Sequence, residues 1–447
     1  MYTASFAFFE ALWEAGVKNC FVNLGSDHPS ILEAIVKGQR EKKDEFPHII
    51  TCPNEMVALS MADGYARRSN QPQCVIVHVD VGTQGLGAAV HNASCGRAPV
   101  LIFAGLSPFT IEGEMRGSRT EFIHWIQDVP DQRAIIGQYC RYTAELKTGR
   151  NIKQMVNRAL QFATSDPQGP VYLVGAREVM EEELTPYTLN QKHWRPVQPS
   201  VLPEDAVAEI ATAMAHAEEP LVITGYTGRK HGSVAELIKL ADAIKGLRVG
   251  DSGGSDTCFP ANHPAWLGLR YGGEEKIRSA DVILLLDCDV PWINTQCHPK
   301  GSATIYHIDV DPLKVQMPVF YLAAMARYRA DTHEVLKQLN AYLAHDASLP
   351  GHLSGAKYQQ RGADLASAHE DRQAALATLA VPAPDGRLGS AYVAATLRRH
   401  LPDDTIFIIE AVTQTIAIAD QLQPSVAGSW LNCGGGGLGW SGGGALG

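Results

Sequence analysis

The sequence predicts an α/β fold of three doubly wound parallel-sheet domains, the last of them incomplete. Helical and strand patterns alternate along most of the chain, which is the order produced by parallel strands joined through helical crossovers. Strand segments such as "DVILLLDCDV" are continuous apolar runs, as expected of strands covered on both faces. The 447 residues also exceed what a single core normally holds.

The first predicted domain covers residues 1–180 and shows the alternation most clearly. In chain order its elements are a helix at 3–16, the strand "CFVNL", a helix near 29–40, the strand "HIITCP", a helix from Glu55, the strand "CVIVHVDV", a helix over 86–96, and the strands "PVLIFAG" and "GPVYLVG". This pattern predicts a parallel sheet with helices on both faces.

Two more domains follow a linker near 181–203, where prolines and polar residues interrupt the periodicity. The second, 204–345, contains the strands "PLVITG", "DVILLLDCDV" and "ATIYHIDVD". The third, 385–447, has the strand "TIFIIEA" and then "CGGGGLGWSGGGALG". One strand and a glycine-rich turn bury too little apolar surface to form a core, so we expect a C-terminal portion to be missing.

Composition narrows the function classes. A net charge of -10 without a basic cluster argues against nucleic acid as a partner. The nine cysteines are scattered without metal-site spacing, which favours buried thiols in a reducing, cytoplasmic setting. The N-terminus is an amphipathic helix pattern without a basic leader or a long apolar run, so we expect neither a signal peptide nor a membrane span.

Glu55 is the first candidate functional residue. It stands between the strand "HIITCP" and the helix "MVALSMADGYARR", and open parallel sheets bind ligands at such strand ends. The alternative is a carboxylate that only stabilises the helix N-terminus. The small and apolar inner face expected for this helix, formed by Ala58, Met61, Ala62 and Tyr65, surrounds the acid with groups that exclude water and favours the functional interpretation.

The order of Glu55, "GYAR", "VIVHVDVG", "GTQG" and "APVLIFAG" resembles the pyrimidine-binding domain of thiamine diphosphate enzymes, the group of acetolactate synthase, benzoylformate decarboxylase and oxalyl-CoA decarboxylase. The middle domain is similar to that group's central domain, and "TIFIIEAVTQT" with "GGLGWSGGGALG" resembles the start of its diphosphate-binding domain. The resemblance implies that Glu55 bonds the N1′ nitrogen of the aminopyrimidine, whose 4′-nitrogen then removes the C2 proton of the thiazolium. Apolar surroundings favour such proton sharing.

The resemblance also implies roles for the turn "NLGSDHPS". Gly25 and Ser26 match the loop that faces the reactive carbon, and Ser26 stands where benzoylformate decarboxylase has an active-site serine. Ser26, Asp27 and His28 are therefore candidates for handling protons on the substrate. From the residues alone, the stretch is equally explained as a turn with a helix cap, and His28 as a solvated loop residue.

Two other loops carry candidates. "VGTQGLG" corresponds to the family's Gly-Pro-Gly loop but departs from it, so Gln84 either offers an amide to an intermediate or lies in a surface turn. Asn54 replaces the histidine that often precedes the glutamate. The long segment 113–132 is expected to close over the substrate through His124, Trp125 and Gln127; the alternative is a packed Trp125 with a solvated His124.

The C-terminal residues are expected to contact the cofactor. By resemblance, Thr413 and Gln414 donate to the diphosphate oxygens, and Leu438 is the bulky apolar residue that holds the cofactor bent. Gly436, Gly437 and Gly439 let the backbone approach the rings. The alternative, a flexible glycine tail, is disfavoured by Leu438 and Trp440 within it.

The resemblance implies thiamine diphosphate with Mg2+, but the family's Gly-Asp-Gly metal motif and its later Asn are absent from the sequence, so metal ligands are not named. A flavin or other nucleotide in the central domain is a further expectation, from "ITGYTGRKHG" and "DCDVPW"; turn caps are the alternative.

The expected function is C–C bond cleavage or formation on a 2-oxo acid or acyl substrate, acetolactate synthase-like, in a homodimer or homotetramer whose sites lie at subunit interfaces. A 2-oxo acid decarboxylase and a 2-hydroxyacyl-CoA lyase are the alternatives. Two alternatives of other classes remain: a non-catalytic regulatory or binding homologue, suggested by the absent metal motif, and a nucleotide-binding oxidoreductase that uses the middle domain.

Overall fold

Parallel strands and helices alternate along the chain, as the sequence predicts. The computed structural model describes residues 1–447, which form two units: Met1–Gln198 together with Cys433–Gly447, and Pro199–Asn432. Each unit contains a sheet of six strands, and a third sheet has two strands. All strand pairs are parallel. The predicted α/β class is confirmed.

The first unit is built on a sheet with the strand order β2-β1-β3-β4-β6-β5. Its strands are β1 Asn19–Asn23, β2 His48–Thr51, β3 Gln73–Val77, β4 Val100–Leu106, β5 Tyr142–Leu146 and β6 Val171–Ala176. β3 and β6 are buried throughout, whereas the edge strand β2 is partly exposed. This explains why the central strands are continuous apolar runs in the sequence.

Helices cover both faces of this sheet. They are α1 Ala4–Glu14, α2 Pro29–Glu41, α3 Glu55–Ser69, α4 Val79–Gly85, α5 Gly87–Cys95, α6 Ile123–Ile126, α7 Arg133–Ile136, α8 Ile152–Thr164 and α9 Arg177–Met180. One apolar core joins α1, α2 and α8 to the sheet. A second core joins α3 and α5 to it.

The second unit repeats the arrangement with the order β12-β11-β10-β7-β8-β9. Its strands are β7 Pro220–Thr224, β8 Arg248–Asp251, β9 Trp266–Leu269, β10 Val282–Leu286, β11 Thr304–Asp309 and β12 Ala326–Arg329. The two-stranded sheet of the same unit pairs β13 Phe407–Ile409 with β14 Trp430–Asn432. The helices are α10 Glu204–His216, α11 His231–Ala243, α12 Lys276–Ser279, α13 Thr332–His345, α14 Leu349–Leu353, α15 Ala356–Leu379, α16 Ser390–His400 and α17 Thr415–Leu422.

The last helix, α18 Trp440–Leu446, belongs to the first unit and packs on α3. A Cβ at Gly64 would lie 2.2 Å from the carbonyl oxygen of Gly444. The backbones of the two helices therefore come into contact at a point where both have glycine. Trp440 is fully buried, and its Nε1 donates to Asp63 Oδ2 over 2.8 Å. Asp63 and Arg67 are buried because α18 covers this face of α3.

Several element bounds differ from expectation. The predicted strand "CVIVHVDV" ends at Val77, and its second half begins α4, which also contains most of the predicted loop "VGTQGLG". The sequence did not predict β5, β8, β9, β12 and β14. β5 is half exposed and β12 partly exposed, so they lack the continuous apolar pattern of central strands. None of the helices combines the length and apolar character needed to cross a bilayer.

Candidate functional site

The carboxyl edge of the first unit's sheet carries most of the predicted site residues. β1 and β3 are neighbours in this sheet, yet the chain continues from β1 to the edge strand β2 and from β3 to β4 on the other side. Loops diverge at such a switch point and leave a crevice in which α/β proteins bind ligands. Segments 24–28 and 78–85 follow β1 and β3 there, and Glu55 begins the helix after β2.

Glu55 is the first residue of α3 but does not cap the helix. That role belongs to Asn54, whose Oδ1 accepts a hydrogen bond from Val57 N over 2.9 Å. Glu55 is partly buried rather than enclosed, and its carboxylate enters no hydrogen bond or ion pair within the chain. It packs against α4, because a Cβ at Gly85 would lie 2.6 Å from Glu55 Oε2. The carboxylate is therefore positioned and available to a ligand.

The glycine-rich segment lies beside Glu55 within the same unit. A Cβ at Gly437 would lie 2.9 Å from Ala88 Cβ, and one at Gly439 would lie 3.3 Å from Met56 Cε. Leu438, between these two glycines, is 63% exposed. The structure thus brings Leu438 to the Glu55 end of α3 within the first unit.

A polar cluster occupies the switch point itself. The Asp27 carboxylate is buried and bonds His78 Nδ1 through Oδ1, while its Oδ2 accepts from Val79 N over 3.2 Å and lies 3.3 Å from His28 Nε2. His78 Nε2 lies 3.1 Å from Gln127 Oε1. α4 begins just after His78 and ends at Gly85, the residue that contacts Glu55, and at about 1.5 Å of rise per residue this helix is about 10 Å long, so the cluster and the acid lie at its opposite ends.

The three titratable residues of the cluster differ in how firmly each holds a proton. Burial lowers the pKa of His78, but the hydrogen bond to Asp27 and its charge outweigh burial and leave the pKa above its ordinary value. Burial raises the pKa of Asp27, and the neighbouring His28 and His78 more than offset this, so it lies below the usual range. Burial lowers the pKa of His28. His78 therefore holds a proton more firmly than an ordinary histidine, and His28 holds one less firmly.

His28 is not the solvated residue of the alternative interpretation. It is fully buried, and Gly25 N donates to its Nδ1 over 3.2 Å. A backbone N–H can only donate, so Nδ1 carries the lone pair and Nε2 carries the hydrogen. Ser26, in the same turn, is partly exposed.

The structure contradicts the alternative interpretation of segment 113–132, in which Trp125 is packed and His124 is solvated. His124 is fully buried and accepts from Thr120 N, whereas Trp125 is 45% exposed. Burial and the charge of Arg177 lower the pKa of His124. Gln127 reaches the polar cluster, but Gln84 is exposed and donates to Asp80 at 3.1 Å.

Thr413 and Gln414 lie in the second unit, at the start of α17. Both are exposed, and Gln414 Oε1 accepts a hydrogen bond from Ser390 Oγ over 2.6 Å. The expected diphosphate donors therefore belong to a different unit from Glu55 and Leu438.

Sequence reasoning missed two residues of the site. The sequence pattern places His78 within a strand, and the sign that could have revealed it is a polar residue in an otherwise apolar run, directly after the buried Val77. Asn92 was not singled out, although it is fully buried in α5 and bonds the backbone of the glycine segment. An asparagine on the face that a predicted helix turns toward the sheet was the available sign.

The side chains fit the ring half of thiamine diphosphate. Glu55 offers a carboxylate to a ring nitrogen, and Leu438 offers an exposed apolar surface beside it. For the metal half, residues 1–447 contain no cluster of three or more His, Cys, Asp or Glu side chains that could hold an ion.

The second unit has its own switch point, between β7 and β10, and the flavin or other nucleotide expected in this domain stays a prediction. Tyr226 N donates to Asp287 O over 2.9 Å, which joins the two loops across the crevice. The acids at the strand ends are also engaged, because the buried Lys314 ammonium pairs with Asp289 and Asp309. A flavin or other nucleotide would have to displace these contacts.

Comparison with known proteins decides the family. Residues 2–135 match the family model described as thiamine pyrophosphate enzyme, N-terminal TPP binding domain. Residues 207–339 match that described as thiamine pyrophosphate enzyme, central domain. The chain belongs to the thiamine pyrophosphate enzyme family. The predicted resemblance is thereby confirmed over more than half of the sequence.

Individual members of the thiamine pyrophosphate enzyme family are similar at low identity. Acetolactate synthase of Bacillus subtilis is 24% identical over 310 residues, which are 67% of this chain and 50% of that protein. 2-Hydroxyacyl-CoA lyase 2 of Danio rerio is 26% identical over 310 residues, which are 62% of this chain and 47% of that protein. The chain spans about half the length of the curated relatives it matches.

The fold of the family is shared closely. The solved structure of a thiamine diphosphate-dependent 4-hydroxybenzoylformate decarboxylase from Rhodococcus jostii matches with a TM-score of 0.76 at 20% identity. The match covers 99% of this chain and 77% of that structure.

Proposed function

We propose that the chain takes part in thiamine diphosphate-dependent cleavage or formation of a C–C bond in a 2-oxo acid, acetolactate synthase-like. The observation that carries the proposal is the Glu55 carboxylate, which has no partner in the chain and lies where residues flanking Leu438 contact its neighbours in α3 and α5. When bound, the cofactor supplies a nucleophilic carbon and an electron sink for breaking or making a bond next to a carbonyl.

The chain's own residues divide the remaining work between the two ends of α4. Glu55 hydrogen-bonds a ring nitrogen and shares its proton, while Leu438 supports the ring. At the other end, Asp27 raises the pKa of His78 and so favours a positive charge where an anionic substrate would bind. Ser26, partly exposed in the adjoining turn, is available to the substrate.

The polar cluster favours a second candidate reaction. A 2-oxo acid decarboxylase needs an acid that returns a proton to the carbon left by carbon dioxide, and the raised pKa of His78 supports this role. Relatives that include a benzoylformate decarboxylase and 2-hydroxyacyl-CoA lyases support the decarboxylase and lyase alternatives alongside the acetolactate synthase-like reaction.

We also infer a homo-oligomer, Mg2+ as the counter-ion of the diphosphate, and a cytoplasmic location. Large exposed apolar side chains are frequent in segment 109–126 of the first unit, and exposed apolar surfaces usually contact another protein; they are Phe109, Ile111, Met115, Phe122, Trp125 and Ile126. The nine cysteines are free thiols and none is fully exposed, which suits a reducing compartment.

Calorimetric titration tests the proposal. The protein is titrated with thiamine diphosphate, with and without Mg2+, and then supplied with pyruvate or benzoylformate. We expect saturable binding, acetolactate from pyruvate for the first candidate, and carbon dioxide with an aldehyde for the decarboxylase. Absence of binding under both conditions would contradict the proposal and favour a non-catalytic homologue.

A further inference from the structure

The buried amide of Asn92 holds the glycine-rich segment by its backbone. Asn92 Nδ2 donates to Gly437 O over 2.8 Å, and its Oδ1 accepts from Gly435 N at 3.2 Å and Gly437 N at 2.9 Å. Asn92 is 0% exposed. A buried amide is stable only when its donors and acceptor are paired, and here the backbone of the glycine segment supplies the partners.

The segment must be glycine because it lies flat on α5. A Cβ at Gly434 would lie 2.4 Å from Gly96 N, and one at Gly437 would lie 3.0 Å from Asn92 Nδ2. Gly436 also has a φ of +76°, in the region that glycine adopts without strain. A side chain at Gly434 or Gly437 would push the segment away from the amide that holds it.

The position of Leu438 follows from these contacts. Gly437, bound by Asn92, precedes Leu438, and Gly439, against Met56, follows it. We propose that Asn92 is a positioning residue for the cofactor ring: by fixing Gly435 and Gly437 it sets Leu438 beside Glu55. This inference rests on the proposed thiamine diphosphate site and adds a residue outside the predicted set.

A second anchor holds α18 independently of Asn92. Trp440 Nε1 donates to Asp63 Oδ2, and the Arg67 guanidinium lies 5.5 Å from the centre of the Trp440 ring. Loss of the Asn92 amide should therefore loosen the glycine segment while α18 stays packed on α3.

Hydrogen exchange in the protein without cofactor tests the positioning directly. In Asn92→Ala we expect the amides of Gly435 and Gly437 to exchange about tenfold faster or more, as the loss of hydrogen bonds to a buried group implies. Exchange in α18 should not change. The matched control is Asn157→Ala, which removes another buried asparagine of the same unit, bonded only to Lys153 O within α8; it should leave the glycine amides protected.

Binding and a conservative variant separate positioning from mere stability. Asn92→Ala should raise the Kd for thiamine diphosphate about tenfold, the effect of losing about 1.4 kcal/mol, and Asn157→Ala should not. Asn92→Asp keeps the acceptor for both glycine amides but loses the donor to Gly437 O, so it should restore amide protection and recover only part of the affinity.

Failure of the inference is distinguishable from failure of the proposed function. Unchanged glycine exchange in Asn92→Ala would overturn the positioning role whether or not the protein binds cofactor. Normal binding by Asn92→Ala, with wild-type protein also binding, would overturn it as well and leave the proposed function standing. Faster glycine exchange with no binding even by the wild-type protein would overturn the proposed function and with it the cofactor role of Asn92.

Discussion

Replacing Asp27 with Asn tests whether the buried carboxylate keeps His78 protonated. Asp27 Oδ1 bonds His78 Nδ1, and burial alone would lower the pKa of His78. In Asp27→Asn the two largest raising influences disappear and only Gln127 and Asp80 still oppose burial, so the pKa of His78 should fall. The lost hydrogen bond between charged groups is worth about 2 kcal/mol. The other hydrogen bond of this side chain is kept, because the Asn amide oxygen can still accept from Val79 N.

The pH dependence of this loss has a definite sign. The folded pKa of His78 is raised, so its contribution to stability is fully present below about pH 6.5 and is lost as pH rises through the folded value. The folded pKa of Asp27 is lowered, so its contribution is present above about pH 4 and is lost as pH falls through the folded value. The stability difference between wild type and Asp27→Asn should therefore peak between about pH 4 and 6.5.

Urea unfolding at pH 5.5 and pH 9 measures this difference, with Asp44→Asn, an exposed aspartate of the same unit, as the control. We expect Asp27→Asn to lower the free energy of unfolding by about 2 kcal/mol near pH 5.5 and by less at pH 9. The control should lose no stability at either pH. Equal losses at both pH values would refute the inference that the imidazolium of His78 is stabilised by Asp27.

Three substitutions test other contacts. Gly64→Ala places a Cβ 2.2 Å from Gly444 O, so it should lower the free energy of unfolding by about 1–3 kcal/mol; an unchanged urea midpoint would mean that α18 does not pack there. Gly85→Ala places a Cβ 2.6 Å from Glu55 Oε2 and should weaken thiamine diphosphate binding about tenfold in calorimetry; full affinity would separate the carboxylate from the cofactor. Lys314→Met removes the ammonium that pairs with buried Asp309 and should lower the free energy of unfolding of the second unit by about 3–5 kcal/mol. An unchanged urea midpoint together with unchanged hydrogen exchange in β11 would contradict this.

The sequence predicted what local periodicity determines. Continuous apolar runs marked the central strands, and Glu55 was found because a strand pattern gives way to a helix pattern directly before it. The half-exposed strand β5 has no such pattern. At His78 the β-branched alternation continues into "VHVDV", so the change from strand to helix depends on packing rather than on local preference.

Contacts between distant parts of the chain could not be predicted. Asn92 and Gly437 are 345 positions apart, and nothing near either residue indicates the other. Asp63 and Arg67 resemble surface positions of a helix, but they are buried because α18 returns to cover them. The exposures of His124 and Trp125 are the reverse of what polarity suggests. Their positions depend on the tertiary packing of segment 113–132.

Exchange of the C2 proton of bound thiamine diphosphate, followed by NMR after transfer into deuterated water, tests the central claim most directly. The claim is that the Glu55 carboxylate activates the ring it contacts. Glu55→Gln should still bind the cofactor but exchange this proton at least about 100-fold more slowly, the usual scale of acid–base assistance. The exposed Glu45→Gln should behave as wild type. Exchange at the wild-type rate in cofactor-bound Glu55→Gln would contradict the account.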